Sequence, residues 1–378
     1  MTLRKRTIVQ TDQAAWAADS PGIRTALERV GLITELQLQV EVTPSATLTG
    51  ANQPDGLFRL INNLAIEGGG GGYVTLPGDD GCQGGTLLHY LGQRDGFGPG
   101  HRNGAIAAPD GVATPMVWTI HPGSRPKRYG GYFDPYDLSA FIPASMESQL
   151  NAIWTTSGND VMDDTVTITS AIMRFVISRV TGSEAEIAQE MQAQGVTLPP
   201  IAGITGMVPQ WSQIVHANAA ATTNIEAETV DITGGAFLKR VAMLLQDATA
   251  TRTLRATDEV TEVAHLVGSA NEKLFHYTVE VELARLGLGT NLTANSGASE
   301  SAATEKFGAD FNGHAPGGVF IHDYRPQTMS PWTRDYGLNL IGVKSGDHKY
   351  GFIIDIRAAG DDTLILMERL APYFGSLG

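Results

Sequence analysis

Period-two alternation dominates this chain. In Leu36-Gln37-Leu38-Gln39-Val40-Glu41-Val42 every apolar residue falls on one side of an extended backbone and every polar residue on the other, the mark of a strand with one wet face. Phe275-His276-Tyr277-Thr278-Val279-Glu280-Val281-Glu282-Leu283 repeats the pattern, and Val166, Ile168, Met173, Phe175 and Ile177 continue it. Further strands are predicted over 57–66, 73–76, 116–121, 149–156, 229–233, 237–247, 260–267, 317–323, 338–344, 350–357 and 363–369. Turn-forming residues separate these runs at short spacing, which predicts a sandwich or barrel. Helical signals are few. Ser183-Glu184-Ala185-Glu186 is a capping box opening a helix through about Ala193, with Ile187 and Met191 on one face.

The second half echoes the first at an offset of about 180 to 190 residues. Leu57 to Glu67 corresponds to Phe237 to Asp247, Tyr132-Phe133-Asp134-Pro135-Tyr136 to Ile321-His322-Asp323-Tyr324-Arg325-Pro326, and Leu150 to Val180 to Leu338 to Leu370. The third pair includes the turns Ser157-Gly158-Asn159-Asp160 and Ser345-Gly346-Asp347-His348. The three pairs keep the same order with few identities, which reads as an old duplication of a whole β-domain rather than a short solenoid repeat. Val196 to Pro209, with three prolines, is the predicted connector between the copies. Gln83 to Arg128 and Leu286 to Gly318 are long insertions at similar places in the two copies, expected to carry interactions rather than secondary structure.

A length of 378 residues suits two domains of about 180 each better than one core. Charged residues make up only 17% of the chain, against roughly 25% in ordinary soluble domains. With 44 glycines and 18 prolines in scattered positions, this composition fits an all-β protein with many turns and much contact surface. A net charge of −14 argues against nucleic acid as the main partner, because phosphate binding needs a basic stripe. The basic cluster Arg4-Lys5-Arg6 is readable as a solubilising tail or as a contact with an acidic surface such as lipid headgroups. A single cysteine, Cys82, excludes an internal disulfide framework and any cysteine-based zinc site. The N-terminal residues lack the apolar stretch of a signal peptide, and no run approaches the roughly 18 apolar residues of a spanning helix, so a soluble chain made in a reducing compartment is expected.

None of the familiar catalytic patterns is present. Gly68 to Gly72 is a glycine run after a strand, but Tyr73-Val74-Thr75-Leu76-Pro77 follows it instead of the Lys and helix of a phosphate loop, so a hairpin or bulge is the better reading. Cys82, in Asp79-Asp80-Gly81-Cys82-Gln83-Gly84-Gly85, has no basic neighbour to activate it. Nine histidines are scattered singly, with no His-x-His pair and no His-Glu-x-x-His, so no metal or cofactor is expected. Asp160, Asp163 and Asp164 lack the spacing and closing glutamate of an EF-hand and read as a solvated turn. No Gly-x-Ser-x-Gly elbow occurs. The expectation is a protein without catalytic residues.

Four features carry a family resemblance. They are Pro21-Gly22-Ile23-Arg24 followed by Leu27 to Leu38; Leu57 to Glu67 with the glycines after it; Asp134-Pro135-Tyr136-Asp137-Leu138-Ser139-Ala140-Phe141-Ile142-Pro143; and the duplication itself. Together they resemble the double jelly-roll major capsid proteins of tailless, membrane-containing double-stranded DNA viruses, phages above all. The resemblance implies an all-β chain of two tandem jelly-roll sandwiches with few short helices. Its expected divisions are an N-terminal arm over 1–20, a first jelly roll over 21–182, a helix and connector over 183–209 and a second jelly roll over 210–378. It implies a structural role: a major capsid subunit that forms homotrimers, pseudo-hexagonal capsomers and then an icosahedral virion shell, after synthesis in the host cytoplasm. The implied partners are other copies, minor capsid or penton proteins and an underlying lipid membrane. The arm residues Arg4, Lys5, Arg6 and Trp16 would touch that membrane or a neighbouring capsomer. A rival reading is a two-domain β-sandwich that binds or cleaves glycans, for which Trp118, Tyr129, Tyr132, Phe133 and Tyr136 could supply an aromatic platform.

Overall fold

Two sets of strands pair in one and the same order. The computed structural model describes residues 3–10, 14–15, 22–45, 56–76, 84–94, 113–123, 134–157, 167–196, 206–217, 228–247, 254–255, 260–278, 319–324, 333–334, 336–354 and 362–373. The first half contributes β1 (Arg4–Val9), β2 (Ala14–Ala15), β3 (Ile23–Ala26), β4 (Leu32–Pro44), β5 (Ile61–Gly68), β6 (Gly71–Leu76), β7 (Thr114–Ile120), β8 (Leu150–Thr156) and β9 (Ile168–Thr181). One sheet runs β1-β9-β4-β7, with the two-residue β2 also on β9, and the other runs β3-β8-β5-β6. Setting β2 aside, the pairing is first–eighth–third–sixth in one sheet and second–seventh–fourth–fifth in the other.

The second half contributes β10 (Gly206–Pro209), β11 (Ser212–Ala217), β12 (Glu228–Asp231), β13 (Phe237–Asp247), β14 (Leu254–Arg255), β15 (Val260–Val267), β16 (Glu272–Thr278), β17 (Val319–Asp323), β18 (Thr333–Arg334), β19 (Gly337–Asn339), β20 (His348–Ile354) and β21 (Asp362–Tyr373). β10 and β11 lie on β21 in one continuous register, Pro209 opposite Leu370 and Ser212 opposite Met367, and so act as a single first strand. One sheet then contains β10/β11-β21-β13-β17, with the short β14, β18 and β19 added on the β13 side, and the other runs β12-β20-β15-β16. The pairing order of the first half returns unchanged. Each half is a jelly roll.

The register between the halves differs from the one read off the sequence. Corresponding strands begin at 32 and 237, 61 and 260, 150 and 348, and 168 and 362, giving offsets of 205, 199, 198 and 194. The echo of 150–180 in 338–370 contains true counterparts, the seventh and eighth strands, but its turns do not correspond: 157–160 follows a seventh strand, whereas 345–348 leads into one. The echo of 57–67 in 237–247 joins a fourth strand to a third. Strands of equal period look alike, so a match by pattern can slip by one strand.

The arm and the connector also change. Residues 1–20 were expected to form an arm, yet β1 pairs with β9 from Arg4 opposite Thr181 to Val9 opposite Val176. Gly206–Pro209, expected in the connector, is paired strand. The capping box forms as expected. Ser183 caps the helix Glu184–Ala193, Glu186 returns the bond to the Ser183 N–H, and Ile187 and Met191 are buried. One helix was missed. Gly84–Arg94 is α1, inside a stretch read as loop, which makes Glu184–Ala193 α2.

Burial follows strand alternation. On β4, Leu36, Leu38, Val40 and Val42 are buried, whereas Gln37 and Gln39 are half-buried and Glu41 is exposed. β13 and β21 differ, because both of their faces are dry. Val241, Met243, Ile365 and Met367 fill the core of the second sandwich. Ala242, Leu244, Leu364 and Leu366 point the other way and join the cluster that holds the core of the first. Ile365→Ala and Leu366→Ala are accordingly each expected to cost ~2–5 kcal/mol although they lie on opposite faces, against less than about 0.5 kcal/mol for Gln39→Ala. Urea unfolding of the three variants measures this.

Candidate functional site

The most elaborate geometry lies where the two sandwiches meet. The Trp211 N–H, just before β11, donates to the Tyr73 carbonyl of β6 at 3.1 Å. The fifth strand of the first sandwich thus abuts the first strand of the second, edge to edge. Behind this contact, Leu87, Leu88 and Leu91 of α1 share one buried cluster with Ala242, Leu244, Ile321, Leu364 and Leu366. Their spacing puts the three leucines on one helical face, and that face covers the outer side of the β13–β21 sheet.

The segment 134–143 closes the joint from the side. Ile142 and Ile33 exchange backbone hydrogen bonds of 2.8 and 2.9 Å, and the Phe141 N–H donates to the Met207 carbonyl at 3.0 Å. The Phe141 ring lies against Gly206, where any Cβ would collide with it. Ala140 packs with Met207, Phe237, Tyr336 and Leu370.

A buried ionic group spans the joint. Lys239, Arg240 and Glu368 are each no more than 2% exposed. Arg240 Nε donates to Glu368, and Lys239 Nζ is 3.8 Å from the same oxygen. Lys239 Nζ also reaches the His121 carbonyl at 3.3 Å and Arg240 Nη1 the Leu91 carbonyl at 3.5 Å. The cations of the second sandwich are therefore fastened to backbone oxygens at the end of β7 and in α1. A charge mid-strand in an otherwise apolar run was the available sequence signal, since such a residue is tolerated only with partners.

The residues singled out from the sequence fall in several places. Arg4, Lys5 and Arg6 are exposed on β1, where alternation sends Lys5 to the face opposite Arg4 and Arg6. Lys5 Nζ bonds Glu190 Oε1 of α2 at 2.7 Å, which holds that carboxyl below its ordinary range. Trp16, Cys82, Asp160, Asp163, Asp164 and the 286–318 insertion lie outside the described residues. The glycine run is a hairpin between β5 and β6; Gly71 has φ +144°, and Gly68 and Gly69 lie beneath the Glu147 and Ser148 side chains. Trp118 is no sugar platform. It is 1% exposed, donates its indole N–H to the Gly85 carbonyl at 2.9 Å and meets Phe58 edge-on at 5.7 Å. Tyr136 is half-buried with its hydroxyl 2.9 Å from Thr7 Oγ1, and Tyr129, Tyr132 and Phe133 lie outside the described residues.

Histidines that are scattered in sequence converge in space: His265 Nε2 is 2.8 Å from His348 Nδ1, with His322 close by. Among the described residues no group of three or more His, Cys, Asp or Glu side chains is arranged to hold a metal.

Glu35, 5% exposed on β4, accepts from Gln37 Nε2 at 2.9 Å, and Gln37 Oε1 accepts from Gln39 Nε2 at 3.3 Å. This amide ladder runs along the outer face of the β1-β9-β4-β7 sheet. Burial pushes the Glu35 carboxyl up to about 7.

The paired topology and the joint decide the fold, and comparison with solved structures agrees. No family model matches the chain, and no curated protein matches it by sequence. The major capsid protein of Sulfolobus turreted icosahedral virus superposes with a TM-score of 0.66 at 15% identity, covering 98% of each chain. The major capsid protein of bacteriophage PM2 gives 0.54 at 9%, again over 98% of each chain. The chain has the double jelly-roll fold. At these identities the likeness is one of architecture, reached with almost wholly different side chains. The joint of this double jelly roll is therefore read from its own residues.

Two outcomes follow from the geometry. Glu368→Gln removes the buried carboxylate that Lys239 and Arg240 share and is expected to cost ~3–5 kcal/mol in denaturant unfolding. Because the folded-state pKa of Glu35 is raised from 4.5 to about 7, its stabilising effect is complete below about 4.5 and is lost as pH rises to 7. Glu35→Gln should flatten that decline, seen by comparing unfolding midpoints at pH 5 and pH 8.

Proposed function

We propose that the chain is a major capsid subunit, a non-enzymatic building block of a virion shell, which assembles as a homotrimer into pseudo-hexagonal capsomers that tile an icosahedral surface. The observation that carries this reading is the joint within the chain. The fifth strand of the first sandwich abuts the first strand of the second through Trp211 and Tyr73. The counterparts of these two edges, β16 in the second sandwich and β1 in the first, are ends of their sheets among the described residues. One end matches the other, so a second copy can repeat between chains the contact made within one. Repetition of a head-to-tail contact closes into a ring, and three chains of two sandwiches each complete a ring of six. Both open edges carry an apolar side chain in solvent, Val9 at 56% exposure and Leu274 at 41%. Burial against a neighbour would remove both from water.

Similarity in fold to the capsid proteins of two viruses supports the same reading. The division into a first sandwich ending near residue 182, a helix and connector, and a second sandwich to residue 378 is part of the proposal, with β1 and β10 now assigned to sandwiches. Arg4 and Arg6, exposed on the open β1 edge, and Trp16 would contact a neighbouring capsomer or lipid headgroups. Minor capsid or penton proteins would fill the remaining lattice positions. The host cytoplasm would be the place of synthesis.

Light scattering of the purified chain should give three times 40.2 kDa. Val9→Glu and Leu274→Glu should each yield a folded monomer with unchanged circular dichroism. A wild-type monomer, or variants that still form trimers, would overturn the proposed contact. The trimer should form hexagonal plates or shells in electron micrographs.

A further inference from the structure

The second sandwich carries a polar cluster in a position where the first is aliphatic. Ile66 lies opposite Ala152, and Gly68 opposite Leu150, in the pairing of β5 with β8. The same register in the second copy sets His265 opposite Tyr350 and Val267 opposite His348, in the pairing of β15 with β20. Ile66, Ala152 and Leu150 are buried at 0%, 0% and 2% exposure, so the jelly roll closes at this spot with hydrocarbon alone. In the second copy His265 is 1% exposed, His322 3%, Tyr324 4% and Tyr350 1%. The fold does not require these groups, and burying polar side chains costs stability unless they are bonded to one another.

They are bonded in a chain. Tyr324 OH is 3.2 Å from His265 Nδ1, and His265 Nε2 is 2.8 Å from His348 Nδ1. With neutral rings, the tyrosine hydroxyl donates to His265, whose Nε2–H donates to His348. The His322 ring lies 4.5 Å from the Tyr324 ring and 6.1 Å from that of Tyr350. His265 and His348 belong to β15 and β20 in one sheet, His322 to β17 in the other, and Tyr324 directly follows β17. The cluster therefore bridges the two layers of the sandwich.

We propose that His265, His348 and His322 form an acid-sensitive latch that ties the two sheets of the second sandwich together while neutral and parts them when protonated. A proton arriving at His348 Nδ1 would face the His265 N–H, so this pair can share one proton but is driven apart by two. His322 adds a third imidazole to the repulsion. Burial and the neighbouring imidazoles hold His265 down at about 3 from an ordinary 6.5, and burial also lowers His348.

Among the described residues, the surrounding charges do not cancel this at His265 or His348. Asp347 in the turn before β20 and Asp231 of β12 favour a charged His348, but burial outweighs them. Asp323 of β17 and Lys349 of β20 neighbour His322 and His348 in the chain and alternate to the opposite faces. Glu272 and Lys273 of β16 are exposed, and Glu262 of β15 is half-buried. The unfolded chain thus binds more protons than the folded one between about 6.5 and 3, and the latch is complete above that window and lost through it as pH falls. The latch stands on the second sandwich alone and is independent of the capsid reading.

Hydrogen exchange on the full chain at about pH 7.5 and pH 5, corrected for intrinsic rates, tests it. Amides of 262–266 and 348–354 should lose protection by roughly tenfold per pH unit for each proton taken up, while those of 61–68 and 150–156 hold theirs. His265→Ile with His348→Leu, which installs the residues of the first sandwich, should abolish the difference. An equal pH response in wild type and double variant, or an equal response of both sandwiches in the wild type, overturns the latch. Should the double variant not fold, imidazole nitrogen shifts of the wild type decide. His265 should stay neutral well below pH 6.5 until exchange accelerates, and titration near 6.5 in a fully protected chain overturns the proposal.

Discussion

A sheet with both faces dry must lie between two bodies, and the β13–β21 sheet imposes that constraint on this molecule. Val241, Met243, Ile365 and Met367 fill one core, and Ala242, Leu244, Leu364 and Leu366 enter another. A fully buried leucine or isoleucine stabilises by about 1.5–3 kcal/mol relative to an exposed one, so separating the sandwiches would forfeit several such contributions at once. The buried Lys239–Arg240–Glu368 group does not match that scale, because desolvation offsets most of its Coulomb attraction. Its value lies in register. Its cations reach the carbonyls of His121 and Leu91 only when α1 and β7 are correctly seated. Apolar burial holds the halves together, and the charges select one way of doing it.

The joint also accounts for what could and could not be read from the sequence. The runs at 237–247 and 363–369 are legible as short, largely apolar segments bounded by turn residues, although Lys239 and Arg240 interrupt the first. The capping box at Ser183 was legible because its bonds are local. The stretch 57–66 was half right: residues 56–60 form a short 3-10 turn before β5 begins at Ile61. The strand expected over 338–344 stops at Asn339, whose side chain accepts from the Ile341 N–H ahead of Gly342 at φ +76°. α1 escaped notice because its glycine-rich start masks the leucine spacing. That face gains meaning only in three dimensions, where it joins a cluster shared by β5, β7 and β13. For the same reason, no local pattern could unite His265, His322 and His348.

The two copies share a topology but have diverged where their surroundings differ. The outer face of β13–β21 is apolar because it is permanently covered by the chain's own first half. The matching face on β4 retains the Glu35–Gln37–Gln39 ladder, its two amides half-buried and its carboxyl buried. Under the proposed assembly, a chain that is soluble alone and packs against others later cannot leave a leucine sheet uncovered. Amide and carboxyl groups that satisfy one another suit such a face, as they can be hydrated before contact and bonded after it.

That divergence extends to protons. The raised Glu35 makes the first sandwich more stable as pH falls from about 7 to 4.5, since its folded state prefers the neutral acid. The depressed His265 makes the second less stable as pH falls from about 6.5 to 3, since its folded state prefers the neutral base. The two halves are thus biased in opposite directions across a shared interval. Acid therefore favours the Glu35 site and disfavours the His265 site. Because the β13–β21 sheet belongs to both cores, loosening of the second sandwich reaches the joint itself.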